Sequence, residues 1–376
     1  MRVFFFLSTV SLSSSQSSSL IPLPSPTPSI CAALFGIGLD SPNAFASPSY
    51  PKTYPPNQDC VRVISGERGA DIVVTFRYFF QIENSYLGFS SSRLVHPSSA
   101  SIDKCPNDFI EFRDGRYGFS PLIGRFCGMV VPTEEIRARS GNIWIRFHSD
   151  DALEYKGFYS TYQLTAPSSL PSSFLIPSKC HIDMVDSLDG IVDSSFFSSP
   201  SIQDNECVWR IQVPPPLHIW IHMEEFMLGE PNDCHSNFLE VYFGNTFDKA
   251  ARKFCGAAAS SVFSTDNIVY LRLFTLHSRI RRSTRVKANY SAYIRHSNCS
   301  LLSLFSCGDD NCIPPVLVCN SRINCPYKRD EQLCYDEMSI VHDFFSLSFF
   351  PLIVIVIVVF TVVSILSLWA CFRPRE

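Results

Sequence analysis

Fifteen cysteines in 376 residues, and the way they are grouped, constrain this chain more than any other feature. Four come first: Cys31, Cys60, Cys105 and Cys127. Four follow: Cys180, Cys207, Cys234 and Cys255. Six crowd one short stretch: Cys299, Cys307, Cys312, Cys319, Cys325 and Cys334. The last, Cys371, stands alone after a long apolar run. Paired cysteines persist in secretory compartments and are rare where glutathione keeps thiols reduced. The grouping therefore predicts an oxidised, modular ectodomain followed by a membrane anchor. The charge balance, 31 basic against 35 acidic residues, gives no reason to expect nucleic acid as a partner.

The two ends of the chain fit that address. Arg2 precedes an apolar stretch from Val3 to Leu12 and then small polar residues, so residues 1–30 read as a signal peptide and N-terminal segment. Between Asp343 and Arg373 lie 29 uncharged residues. A helix needs roughly 20 apolar residues to cross hydrocarbon. Residues 349–371 are thus expected to span the membrane, after a juxtamembrane segment 336–348. Asp336, Glu337 and Asp343 on one side and Arg373 and Arg375 on the other put the tail 372–376 in the cytosol. The orientation is single-pass type I at the plasma membrane, N-terminus outside, with a synaptic site among the expectations. Cys371 sits at the cytosolic edge, where reversible palmitoylation is expected. The five tail residues hold no Asn-Pro-x-Tyr endocytic signal.

The first two cysteine groups form an internal repeat. In each, a first pair is followed by an interval and a second, closer pair. The first copy carries 18 extra residues in its interval, assigned to the Ser-rich stretch Leu87–Lys104 and read as an inserted surface loop. Short β-rich runs recur in both copies. The first has Ile72–Phe76, Phe109–Phe112 and Ile143–Phe147; the second has Val208–Ile211, His218–Ile221 and Val269–Leu273. Such runs, punctuated by Pro, Gly and Asn, predict antiparallel β-sandwiches. A Ser/Pro-rich linker, residues 167–179, separates them. The six-cysteine stretch is too small for a core of its own and needs staples: three bridges, with a metal as a further option. Zinc does not suit it: two C-x-x-C knuckles are lacking, and a secretory address opposes free thiolates.

Several stretches of the first repeat resemble a CUB domain: Ser47–Pro51, Tyr54-Pro55, Cys105 with Asp108, Phe126-Cys127-Gly128, Phe147–Asp150, Gly157-Phe158 and Tyr162. The second repeat resembles a more divergent one. Cys299–Cys334, with Leu317–Asn320, Asn324-Cys325 and Asp330-Glu331, resembles an LDL-receptor class A module. The order as a whole is similar to the neuropilin and tolloid-like (Neto) family. The resemblance implies an all-β ectodomain: a first CUB domain at 31–166, a second at 180–296, and a small disulfide-rich class A module at 297–335, ahead of one transmembrane helix. It also implies the bridges Cys31–Cys60, Cys105–Cys127, Cys180–Cys207, Cys234–Cys255, Cys299–Cys312, Cys307–Cys325 and Cys319–Cys334; six cysteines alone would leave fifteen connectivities open. Members of the family act as auxiliary subunits of ionotropic glutamate receptors, chiefly the kainate type, and that is the function the resemblance implies. An endocytic or ligand-capturing CUB/class A receptor is the alternative. No Gly-x-Ser-x-Gly or His-Glu-x-x-His motif is present, and an enzyme is not expected.

Calcium is a hard ion that takes several oxygen ligands, some of them charged. The CUB pattern maps its calcium acids onto Glu83, Asp108 and Asp150, and all three carboxylates are present. In the second repeat Asn237 stands at the middle position and His277 follows where an acid should, leaving Glu225 and Glu230 nearby; no calcium is expected there. The class A pattern maps onto Asn320, Asn324, Asp330 and Glu331, with carbonyls from Leu317 and Arg322. Two carboxylates have become amides, so calcium binding there is expected to be weak.

Two further features complete the reading. Asn289-Tyr290-Ser291 and Asn298-Cys299-Ser300 are glycosylation acceptors, at Asn289 and Asn298. Arg279, Arg281, Arg282, Arg285 and Lys287 form a basic cluster. It reads first as a solvated hairpin, second as a surface for an acidic or sulfated partner, and third, at Arg279–Arg282, as a furin-like cleavage pattern.

Overall fold

The computed structural model describes residues 30–66, 70–83, 105–166, 180–199, 205–332, 334 and 353–368. The signal segment up to residue 29, the inserted loop Leu87–Lys104, the linker 167–179 and Cys371 lie outside the described residues. The chain divides into two compact units, residues 1–116 with 120–175, and 117–119 with 176–376.

The first unit is a sandwich of two four-stranded antiparallel sheets. Its strands are β1 (Ala44–Ala46), β2 (Gln58–Ser65), β3 (Asp71–Gln81), β4 (Phe109–Asp114), β5 (Leu122–Phe126), β6 (Ile136–Ala138), β7 (Asn142–Ser149) and β8 (Gly157–Thr165). One sheet runs β1-β8-β3-β6 and the other β2-β7-β4-β5. Successive side chains of a strand point to opposite faces. Ile143, Ile145 and Phe147 of β7 therefore turn inward with Ile110 and Phe112 of β4, onto Ile72, Val74 and Phe76 of β3. Phe76 packs edge-on against Phe112 and Phe158, at centroid distances of 6.1 and 5.7 Å. A bulge between Arg77 and Phe80 shifts the register of β3 against β8. Past it, Ile82 exchanges two backbone hydrogen bonds with Gly128, at 3.0 and 2.9 Å. Gly128 has φ +101°, a conformation that favours glycine. That bridge fixes where the next residue, Glu83, points.

The second unit holds β9 (His181–Val185), β10 (Asp189–Asp193), β11 (Glu206–Gln212), β12 (His218–Met227), β13 (Asn237–Phe243), β14 (Arg252–Phe254), β15 (Val262–Phe263), β16 (Ile268–Thr275), β17 (Arg285–Arg295), β18 (Phe305–Ser306) and β19 (Asn311–Ile313). One sheet is β14-β13-β16-β11-β9, with β9 parallel to β11. The other is β15-β12-β17-β19-β18, with β10 also paired to β17. Strand β17 organises this half. One edge pairs with β12. Its other edge pairs first with β10, over Lys287–Ser291, and then with β19, at Ile294 and Arg295.

The six-cysteine stretch is thus an extension of the second sheet, and its core is shared rather than its own. Cys307, Ile313, Leu317 and Cys325 pack with Trp220 of β12 and Tyr293 of β17 in one buried cluster. Disulfides join each pair that the resemblance implies: 31–60, 105–127, 180–207, 234–255, 299–312, 307–325 and 319–334.

Two expectations are corrected here. The basic cluster is not a solvated hairpin: Ser278–Ser283 form a short helix, α1, that leads into β17. Arg281 is buried with its guanidinium over the Phe197 ring, and Lys287 is paired with Glu224 at 2.8 Å. Asn289 lies buried in mid-strand and donates to Glu224 at 2.5 Å, so the folded sheet leaves no room for a glycan there. Asn298, by contrast, is exposed. Residues 353–368 are helical, but among the described residues no helix is long and apolar enough to cross a membrane.

Candidate metal centre

Glu83, Asp108 and Asp150 come from three separate parts of the first unit. Glu83 follows the β3 bridge, Asp108 immediately precedes β4, and Asp150 immediately follows β7. Strands β4 and β7 are neighbours, with Phe109 opposite His148, so Asp108 and Asp150 emerge at the same end. The Cys105–Cys127 bridge ties the approach to Asp108 to the residue beside Gly128. One carboxylate oxygen from each acid lies within 4.8 Å of the others. Among the described residues this is the one convergent group of three or more His, Cys, Asp or Glu side chains.

The acids are held in place from behind. The Tyr54 hydroxyl donates to Asp108 Oδ2 at 2.6 Å and accepts from the Glu83 backbone N–H at 3.2 Å. The other Asp108 oxygen accepts from the Asp150 backbone N–H at 2.7 Å. Asn107 Nδ2 donates to Glu83 Oε1 at 3.0 Å, while Glu83 Oε2 is buried without a hydrogen-bonding partner. Burial raises the Glu83 pKa above the ordinary carboxylate value, and repulsion from Asp108 and Asp150 adds to the rise. Asp108 is raised in the same way, by burial and then by Asp150, against the hydrogen bond from Tyr54. The Tyr54 phenol is itself pushed up by burial and by its bond to Asp108, so it remains a donor. Three crowded carboxylates, one with an orphaned oxygen, are a donor set that suits a hard divalent cation. The residues fit calcium.

The second unit uses the corresponding positions differently. Asn237 is fully buried at the start of β13, and the two backbone N–H donors facing its amide, from Gly229 at 3.0 Å and Glu230 at 3.2 Å, assign the atom they meet as the amide oxygen. An amide there closes a loop instead of facing an ion. In the six-cysteine stretch, Asp330 accepts from the backbone N–H groups of Asn324 and Cys325, at 2.6 and 3.2 Å. Glu331 accepts from those of Asn320 and Ser321, at 2.8 and 3.2 Å. The structure brings Asn320, Asn324, Asp330 and Glu331 together, but it adds a residue that sequence reasoning missed. Asp189, the first residue of β10, accepts from Asn320 Nδ2 at 3.0 Å and pairs with Arg322 at 3.1 Å. Tyr54 was visible only as part of a motif, and its hydroxyl's two roles depend on contacts 54 and 29 residues away. Asn107 carried no signal beyond lying next to Asp108.

A CUB domain model matches residues 38–162 and 180–290. The chain belongs to the CUB domain family. Within that family it is similar to the mouse (Mus musculus) neuropilin and tolloid-like protein 2, 31% identical over 301 residues, which is 78% of this chain and 53% of that protein. It is also similar to pig (Sus scrofa) cubilin, 26% identical over 239 residues, 63% of this chain and 6% of that protein. Among solved structures, one titled as the MASP-1 CUB2 domain bound to Ca2+ is 32% identical, covering 32% of this chain and 89% of that one, with a TM-score of 0.25. The chain spans about half the length of the neuropilin and tolloid-like relatives it matches. Its first CUB domain carries the convergent acids; its second carries Asn237 in their place.

Proposed function

We propose that this chain is a non-enzymatic, calcium-binding CUB protein of the cell surface and an auxiliary subunit of kainate-type ionotropic glutamate receptors. The convergent Glu83–Asp108–Asp150 cluster, with Glu83 and Asp108 buried, carries the calcium part of the reading. Likeness to neuropilin and tolloid-like proteins over most of the chain supports the receptor part. In this reading residues 297–335 are a class A module, 349–371 cross the membrane, Asn298 carries a glycan, and Cys371 is palmitoylated. Calcium at the end of the first CUB domain fixes the loops that bear its ligands and presents a rigid, partly charged surface to the receptor ectodomain. The exposed Arg279 and Arg282 of α1 offer a second surface, suited to an acidic or sulfated group.

Co-expression with kainate receptor subunits tests the reading. The expected result is co-purification and slowed decay of glutamate-evoked currents, weakened when Asp108→Asn removes a calcium ligand. Failure to co-purify, together with uptake of a soluble ligand by cells expressing the chain, would instead support the endocytic CUB/class A receptor.

A further inference from the structure

The six-cysteine stretch gathers the atoms of a cation cage around an uncharged amide, the side chain of Asn324. One amide atom of Asn324 lies 3.1 Å from the Leu317 carbonyl oxygen, 3.1 Å from the Arg322 carbonyl oxygen and 3.0 Å from Asn320 Oδ1. Asn320 Nδ2, 3.2 Å away, is already committed to Asp189. With no cation present, three acceptors around one atom select a donor, which makes that atom the amide nitrogen and leaves the amide oxygen 3.5 Å from Asp189 Oδ2. The other amide atom, then the oxygen, accepts from Ser291 Oγ at 2.7 Å. Asn324 is 2% exposed, so bulk water does not compete for these contacts. A carboxylate at this position would set a further oxygen against three others, and a cation or a proton would be needed to hold the four together.

Three more observations point the same way. The two acids of the class A pattern, Asp330 and Glu331, are engaged by backbone N–H groups. The negative charge facing the Asn pair comes from Asp189 of β10, outside the stretch, which also pairs with Arg322. And the apolar core that a small module lacks is supplied by Trp220 and Tyr293.

We infer that the Asn324 amide and the Asp189 carboxylate together replace the cation of a class A cage, making residues 299–334 a calcium-independent extension of the second CUB sheet. The inference does not depend on the receptor reading. It divides the chain in its response to calcium: the first CUB domain is sensitive, and everything from β9 to Cys334 is not.

Hydrogen exchange on the full chain in detergent, read by mass spectrometry with calcium or with chelator, tests this. Chelation is expected to raise exchange around residues 107–109 and 150–152 while leaving 317–331 unchanged within about twofold. Asn324→Asp is expected to make 317–331 calcium-dependent, with exchange at least about tenfold faster in chelator and restored by calcium. Asp189→Ala is expected to raise exchange in 317–331 with or without calcium. Loss of protection at 317–331 in the unaltered chain on chelation would overturn the inference, as would a correctly bridged Asn324→Asp chain with no response to calcium. If Asn324→Asp does not fold, the unaltered chain alone decides.

Discussion

The Tyr54 hydroxyl donates to Asp108 at 2.6 Å and in the same position accepts from the Glu83 backbone. One oxygen thereby fixes two of the three acids, one through its side chain and one through its main chain. Hydrogen bonds to charged groups contribute about 1.5–3 kcal/mol. Tyr54→Phe should therefore weaken calcium binding about tenfold or more, with the fold retained because the ring still packs on Phe147 at 5.1 Å. Calcium titration of the two proteins measures it; equal affinities would mean that the phenol does not position the site.

The same acids predict an unusual dependence on pH. The folded-state pKa values of Glu83 and Asp108 lie above their ordinary values. A raised carboxyl pKa favours the protonated form on folding, so its contribution is present at low pH and lost as pH rises through the raised value. In chelator, this part of the first CUB domain should be more stable in mild acid than at neutrality. Calcium binds the ionised form, so the extra stability it confers should shrink as pH falls over the same range. Melting curves with and without calcium, from about pH 7.5 to about pH 5, give that difference directly. A calcium increment that grows toward acid would contradict the assignment.

Glu111 predicts a purely structural cost. It is 1% exposed and paired with Arg113 and Arg125, each at 2.6 Å. Removing one member of a buried ionic group costs about 3–5 kcal/mol, because the remaining charges lose their partner. Glu111→Ala should lower the melting temperature of the first unit and leave the second unchanged, as differential scanning calorimetry would resolve. Equal shifts in both units would refute this.

Trp220 tests the shared core. Truncating a large buried aromatic costs about 3–5 kcal/mol. Trp220→Ala should loosen residues 299–334 and the second CUB domain together, so that protease sites in both open in parallel. Cleavage confined to 299–334, with the second CUB domain intact, would show two separate cores.

Much of the fold was legible because short β-rich runs and paired cysteines are local signals. Ile143–Phe147 and Val269–Leu273 both lie inside strands, β7 and β16. The acids of the first CUB domain were legible because the family pattern names their positions. What the sequence concealed depended on contact between distant segments. Arg281 looked like a solvated charge until α1 laid it over Phe197. Asn289 looked like a surface acceptor because a three-residue motif says nothing about burial. Asp189 carries no local signal at all, since its partners Asn320 and Arg322 lie more than 130 residues away.

Strands β10 and β19 lie along the same edge of β17, one after the other. A boundary drawn at residue 297 therefore cuts through a continuous hydrogen-bonded ribbon. The six-cysteine stretch is not a cassette that can be lifted out and replaced. A graft that brings a foreign module onto this chain, or moves this one elsewhere, must carry β17, Asp189 and Trp220 with it, or it will arrive without part of its interior.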